Sequence, residues 1–266
     1  MHLARWSIAQ TKNRETEASG IGWELFLNYR IARDKYKPDY FLYENNKSMS
    51  PAIRTQITAE LGVEPVLINS ALVSAQNRQR LYWVGRRNPD GTYSQVPVEQ
   101  PEDRGILLRD ILEAGIAWHE KSYCITATEY KGSTPQQTLT KHRRTMVAEP
   151  IEPRCVAQCG RYPENPKLRV AGLPTEQMFE AREDGKTHQV YEVRNGLITI
   201  KGKQYPIKLK DGYYIIRKLT VRECMRLQTV PEWYEFPVSN SQAYKMLGNG
   251  WTVDVIAHIL KGLKEA

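Results

Sequence analysis

The stretch 40-YFLYENNKSMSPAIRTQITAELGVEPVLINSALV-73 decides the fold class. The run "YFLYEN" is short, aromatic and apolar, which predicts a strand. Ser50 stands where a helix cap belongs, and Pro51 suits the first helical position. Ile53, Ile57 and Leu61 then share one face, and Gly62 can close the helix. "PVLINSALV" predicts a second strand. Working outward, Trp23, Phe26, Leu27 and Ile31 follow helical spacing, and that helix must stop before Pro38. On the other side "RLYWVG" predicts a third strand, and "RRNPDGTY" marks a turn. Residues 20–86 thus run helix, strand, helix, strand, strand, the rhythm of an α/β layer.

From about Glu99 the texture changes to Pro and Gly punctuation, mixed charge and short β-like runs such as "HQVYEV", "GLITI" and "GYYIIRKL". This predicts an inserted module over residues 97–215, between a first part at 1–96 and a return to the core at 216–266. Regular patterning resumes at "LTVRECMRLQ", where Thr220 and Glu223 form a capping-box pair and Leu219 with Cys224 forms a staple. After the turn "LGNGW", Val255, Ile256, Ile259, Leu260 and Leu263 predict a last amphipathic helix.

Hydrophobic residues at 41% and charged residues at 26% describe a chain that can bury a core. No apolar run approaches the roughly 20 residues needed to span a bilayer, so no membrane is expected and a cytoplasmic location is. With 38 Lys+Arg against 30 Asp+Glu the net charge is +8, which suits a polyanionic partner. Cys124, Cys155, Cys159 and Cys224 are too scattered for a disulfide framework. "CVAQC" alone offers one pair of metal ligands, so no metal is expected.

Four short stretches carry chemistry: "YENN" (43–46), "QNRQR" (76–80), "RKLTVRECMRLQ" (217–228) and "YKMLGNGW" (244–251). On residues alone, Glu44 is a strand-end carboxylate suited to acid chemistry or to pairing with an arginine. Arg78 and Arg80 alternate on an extended segment and so point to one face, as a cation pair over a ligand or as a surface ion cluster. Gln76 would support the turn before them. Arg222, Glu223 and Arg226 can pair at helical spacings of three and four, a structural role.

Together and in this order, the four stretches resemble the cytosine-5 DNA methyltransferase family of phage and bacterial type. Its motifs include Glu-Asn-Val, Gln-x-Arg-x-Arg, Arg-x-Leu-Thr-x-Arg-Glu-x-x-Arg-Leu-Gln and a final Gly-Asn turn. The resemblance implies an incomplete doubly wound, Rossmann-like α/β core carrying a target-recognition insert, S-adenosylmethionine as cofactor, and double-stranded DNA as partner, in the setting of restriction-modification. In that family a cysteine thiolate adds to ring carbon 6 of a flipped-out cytosine, and carbon 5 takes the methyl group. The resemblance places Glu44 beside the ring nitrogen and Arg80 on the base carbonyl, with Arg78 holding Glu44 or the backbone. Asn249 and Trp251 match positions that close over the cofactor. Lys141, Arg143 and Arg144 are available for phosphates or guanine edges.

The first residues depart from the pattern. "HLARWS" aligns with the family's Pro-Cys-x-x-aromatic-Ser at Trp6 and Ser7, which makes Ser7 a DNA-binding candidate. His2 and Leu3 then stand where Pro and Cys belong. No Phe-x-Gly-x-Gly turn for the main cofactor pocket occurs in the sequence. The expectation is a methyltransferase portion, N-terminally truncated, inactive alone and completed by a second polypeptide; the alternatives are a non-catalytic DNA-binding remnant and a truncated gene product. A bare apolar edge and one uncovered face of the core sheet are expected with it.

Overall fold

Ser50 caps its helix as its position predicts: its hydroxyl accepts from the Ile53 N–H (3.3 Å), Pro51 opens the helix, and Gly62 closes it with φ 74°. The computed structural model describes Trp6 and residues 14–151, 178–181 and 187–265. In chain order its helices are α1 (Gly20–Tyr36), α2 (Pro51–Leu61), α3 (Pro135–Lys141), α4 (Val221–Leu227), α5 (Asn240–Asn249) and α6 (Val253–Glu265). The strands are β1 (Tyr40–Asn46), β2 (Pro65–Asn69), β3 (Gln79–Arg87), β4 (Tyr93–Gln95), β5 (Met146–Ile151), β6 (Met178–Ala181), β7 (Thr187–Arg194), β8 (Leu197–Ile200), β9 (Lys203–Pro206) and β10 (Gly212–Lys218). They divide into two units, one of Met1–Val73, Arg78–Asp103 and Asp254–Ala266, the other of Ser74–Asn77 and Arg104–Val253.

In the first unit a sheet of order β1-β3-β2 has antiparallel neighbours throughout, and β4 pairs with the far end of β3. Strand alternation sorts its side chains by face. Phe41, Leu81 and Trp83 meet Phe26 of α1 and Ile53, Ile57 and Leu61 of α2, together with the buried Trp6. Leu42, Tyr82 and Val84 meet Val255, Ile256 and Ile259 of α6 on the opposite face. Helices therefore cover both faces, as a doubly wound layer requires, and the expected bare face is filled by the C-terminal helix. Trp6 is fixed by its indole N–H donating to Glu15 Oε2 (3.0 Å), a carboxylate that also accepts from the Gly22 N–H (3.1 Å).

Local details differ from the sequence reading. The strand in "PVLINSALV" ends at Asn69, because the Asn69 side chain accepts from the Ala71 N–H (3.1 Å) and turns Ser70–Leu72 into a 3-10 turn. Ile31 and Leu260, placed on apolar stripes, are exposed. The helix α1 reaches Tyr36 and stops as Lys37, just before Pro38, takes a left-handed φ of 45° and donates its N–H to Arg33 O (2.8 Å).

The second unit holds a six-stranded antiparallel sheet, β5-β10-β7-β8-β9 with β6 beside β7. Trp118, Met146, Tyr191, Ile198, Ile207 and Tyr214 pack in one core. A separate core joins Leu108, Ile111 and Val147 to Leu219, Cys224 and Leu227 around α4 and to Tyr244 and Leu247 of α5. The predicted capping box of α4 is formed in both directions: Glu223 N–H to Thr220 Oγ1 (3.1 Å) and Thr220 N–H to Glu223 Oε2 (2.8 Å). Leu219 and Cys224 are both fully buried in this core.

The "LGNG" segment ends α5 against the 126–131 turn. A Cβ on Gly248 would fall far inside van der Waals contact with the backbone of Thr126 and Ala127. Backbone cannot rotate away as a side chain can. Gly248→Ala is expected to destabilise by about 1–3 kcal/mol, the reverse of what alanine does at an open helical position. Urea denaturation checks the sign.

Candidate active site

Glu44 and Arg80 meet because of strand register. In the β1–β3 pair, Glu44 lies opposite Tyr82 and Asn46 opposite Arg80, so Glu44 and Arg80 are diagonal neighbours on one face. That face is the one Leu42, Tyr82 and Val84 present to α6, and towards the end of β1 it changes from apolar to charged. Arg80 Nε stands 3.0 Å from Glu44 Oε1, with both side chains more than four-fifths buried. Arg80 Nη1 also donates to Gln79 O (2.9 Å), which orients the guanidinium. Tyr82 senses the same charges. Burial first, and then Glu44, pushes its hydroxyl well above the usual tyrosine range, against the opposing pull of Arg80 and Arg78.

Arg78 is buried at 4% exposure, while Asn77 and Gln79 beside it are exposed. The alternation predicted for the two arginines is thus present. Arg80 pairs with Glu44 at 3.0 Å. Arg78 is clamped through its backbone, its N–H donating to Asn69 Oδ1 (3.0 Å) and its carbonyl accepting from Ser70 N–H (3.0 Å). Asn69 is a site-building residue that the sequence reading passed over. An asparagine at a strand end, followed by serine, was its signal.

Residues 45–48 form a polar rim below Glu44. Asn45 Oδ1 accepts from both the Asn46 N–H (2.8 Å) and Asn46 Nδ2 (3.1 Å), Asn46 Oδ1 accepts from the Ser48 hydroxyl (2.7 Å), and Asn45 Nδ2 donates to the Tyr43 hydroxyl (3.2 Å). Burial raises that hydroxyl to about 12, the Asn45 bond opposing and the Glu44 charge reinforcing the shift. Lys47 reaches across to Gln79 Oε1 (2.9 Å).

Gln76 lies in the second unit and is fully buried. Its Nε2 donates to Leu227 O (2.6 Å) and Gln228 Oε1 (2.9 Å), and its Oε1 accepts from the Ile125 N–H (3.3 Å). Gln228 continues the chain to Leu247 O (2.6 Å) and Gly250 O (3.2 Å) and accepts from the Thr252 hydroxyl (2.9 Å). Three of the four sequence stretches are therefore tied by one buried amide network, and Gln228 is a keystone that the sequence reading quoted without a role.

Asn249 and Trp251 sit in the exposed end of this segment, Trp251 at 50% exposure. Lys141 and Arg143 are exposed around the C-terminus of α3. Arg144 has a left-handed φ of 53°, and its guanidinium is engaged by Gly132 O and by Thr128 Oγ1 (3.0 Å). Helix α3 itself was missed, although Thr134, Pro135 and Gln137 spell a capped start. Leu3, Ser7, Cys155 and Cys159 lie outside the described residues. Cys224 is fully buried, and burial, with Glu129 and Glu223 nearby, raises its thiol well above the usual range, which makes it inert. Among the described residues, no cluster of three metal-ligating side chains occurs, and no helix is long and apolar enough to cross a membrane.

The family model of the C-5 cytosine-specific DNA methylases matches residues 4–265. The type II methyltransferase M.FnuDI of Fusobacterium nucleatum is 24% identical over 98% of this chain and 73% of its own length. M.HpaII of Haemophilus parainfluenzae is 28% identical over 87% of this chain and 62% of its own length. A crystal structure of S. pombe Dnmt2 methyltransferase aligns over 93% of this chain and 74% of that one, with 18% identity and a TM-score of 0.49. The chain thus spans about two thirds of the length of the type II methyltransferases it matches. The family model extends from the region of Trp6 through Glu44, Arg80 and Gln228 to the last helix, and on that match the chain belongs to the C-5 cytosine-specific DNA methylase family.

Proposed function

We propose that this chain is the base-binding and target-recognition portion of a DNA cytosine-5 methyltransferase, working with a thiol supplied from outside these 266 residues. The observation that carries this reading is the Glu44–Arg80 pair, fixed by register at a strand end. When a thiolate forms its bond to ring carbon 6, the displaced π electrons load negative charge onto the ring. A protonated Glu44 hydrogen-bonded to ring N3 offsets that charge, and Arg80 orients the carboxyl while reaching the base carbonyl. Thiolate departure reverses the addition once carbon 5 has been substituted and has lost its proton. Lys141 and Arg143 supply phosphate contacts beside the target-recognition sheet.

S-adenosylmethionine, when bound, supplies an electrophilic methyl group. Asn249 and the half-exposed Trp251 are suited to cover one side of it. They form one wall, and the sequence has no Phe-x-Gly-x-Gly turn for the other. In this reading the nucleophile comes from elsewhere: Leu3 stands at its aligned position, and among the described residues Cys224 is buried and inert.

The test is methyl transfer from labelled S-adenosylmethionine to mixed-sequence duplex. The chain alone is expected to transfer none. Adding a relative's polypeptide that carries the Pro-Cys loop and the cofactor turn is expected to restore transfer to cytosine. Label in cytosine from the chain alone, above a Glu44→Ala control, would place the nucleophile within these residues and overturn the reading. Leu3 also favours a second reading, DNA binding without chemistry, which predicts duplex binding and no rescue.

A further inference from the structure

A cavity of about 360 Å³ opens in the second unit between α3, the β7–β8 turn, the segment after β9 and the Trp118–His119 loop. Its polar side chains are Trp118, His119, Thr138, His142 and Lys208. Leu139 and Ile207 form the apolar part, and no lining residue is acidic. Trp118 is only 5% exposed, yet its buried indole N–H has no hydrogen-bond partner. An unsatisfied buried donor is uncommon enough to call for a ligand.

The two imidazoles are organised by one hydroxyl. Tyr123 Oη lies 3.1 Å from His142 Nδ1 and 3.5 Å from His119 Nε2. This leaves His142 Nε2 and His119 Nδ1 for other partners. His142 is held in a left-handed conformation, φ 49°, as the C-cap of α3. A lysine ammonium, an indole N–H and two imidazoles that donate from both ring nitrogens when protonated, with no carboxylate among them, suit a group that only accepts, and a phosphoryl oxygen is such a group. The volume is within the range of small-ligand sites and leaves room for the sugar to which a phosphate is attached.

We propose that this cavity binds a phosphoryl group, with Trp118, His119, His142 and Lys208 as its donors. The group comes from the DNA backbone or from free phosphate, and the choice of DNA rests on the methyltransferase reading above. Burial, then His142 and Lys208, hold the His119 pKa below the ordinary histidine value. The titratable and charged groups around that ring are Tyr123, His142 and Lys208. A phosphate dianion or diester among them reverses the local field, so binding takes up protons. The bound pKa then exceeds the free one: the extra affinity is complete below the free pKa and is lost as pH rises through the bound value.

The test uses the full chain with isotope-labelled histidine, titrated separately with inorganic phosphate and with duplex DNA at constant salt. Both ligands are expected to shift the His119 and His142 ring resonances and to raise the His119 midpoint. Duplex affinity should increase about tenfold from pH 8 to pH 6, matching one unit of histidine shift. His119→Gln should remove that pH dependence, and Lys208→Met, at an exposed position, should weaken phosphate binding. Trp118→Phe, which keeps the ring and removes the N–H, should weaken phosphate binding about tenfold. Duplex binding with no pH dependence and unmoved histidine resonances under both ligands overturns the proposal and leaves the methyltransferase reading standing. Shifts with phosphate but not with duplex keep the cavity and overturn DNA as its source. No duplex binding at any salt, with phosphate still bound, counts against the DNA reading itself.

Discussion

Glu44→Gln, assayed in the complemented enzyme, is expected to lower methyl transfer by about 10²–10⁴-fold, the range for loss of a positioned acid, with DNA affinity nearly unchanged. The substitution separates shape from protonation. An amide oxygen can still accept from Arg80 Nε, which now holds Glu44 Oε1 at 3.0 Å, so the side chain should keep its place at the end of β1. It cannot deliver a proton to the ring nitrogen. The loss should therefore fall on kcat and leave KM for duplex within a few-fold, because the missing interaction is made only as charge develops. Arg80→Met gives the complementary result: Glu44 loses its orienting partner, and kcat and KM should worsen together. A Glu44→Gln variant retaining a third or more of the rate would remove Glu44 from the chemistry.

How far the sequence spoke depended on whether the controlling interaction was local. Ser50, Pro51 and Gly62 mark the limits of α2 in the chain itself, and the Thr220–Glu223 capping box is equally self-contained. The same local signal existed at Thr134–Gln137 and was obscured by the irregular stretch around it. "PVLINSALV" has the composition of one long strand, and only the Asn69 side chain bonding to Ala71 N–H breaks it. Periodicity placed Ile31 and Leu260 on apolar stripes, yet neither finds a partner surface deep enough to bury it.

The site shows the same division. Alternation put Arg78 and Arg80 on one face, but the meeting of Arg80 with Glu44 follows from cross-strand register, with Glu44 opposite Tyr82 and Asn46 opposite Arg80. Register cannot be read from β3 alone. The bond between Gln76 and Gln228 spans 152 positions, and no pattern in either segment announces it. The expected bare sheet face failed for a similar reason: the helix that covers it returns from the chain's far end, where Val255, Ile256 and Ile259 pack against Tyr82 and Val84.

The spacing assigns Glu223 a structural role, in the capping box with Thr220 and in helical pairing, and its environment makes a larger loss predictable. The carboxylate is 0% exposed and accepts four hydrogen bonds: from Arg217 Nη1 (2.8 Å), Arg217 Nη2 (2.8 Å), Thr220 N–H (2.8 Å) and Glu113 N–H (3.0 Å). Arg217, on β10, also binds Glu149, Lys218 O (3.0 Å) and Ala114 O (2.6 Å). Burial disfavours its cation, but Glu223 and Glu149 more than compensate and hold its pKa above the ordinary arginine value. Glu223→Ala leaves that buried cation short of one counter-charge and strands two backbone N–H groups, so a loss of about 3–5 kcal/mol is expected. Glu223→Gln should lose nearly as much, because its amide nitrogen must face a donor in either orientation. Arg222→Ala is the contrast: Arg222 is 59% exposed and reaches Glu113 and Glu232 only at 3.6 and 3.9 Å, and its removal should cost less than about 1 kcal/mol. Urea unfolding of the single variants, together with Arg217→Met/Glu223→Leu, decides the matter. The double substitution should cost well below the sum of its singles, since removing both charges leaves neither unpaired. Additive losses would mean that Glu223 acts through its backbone bonds alone.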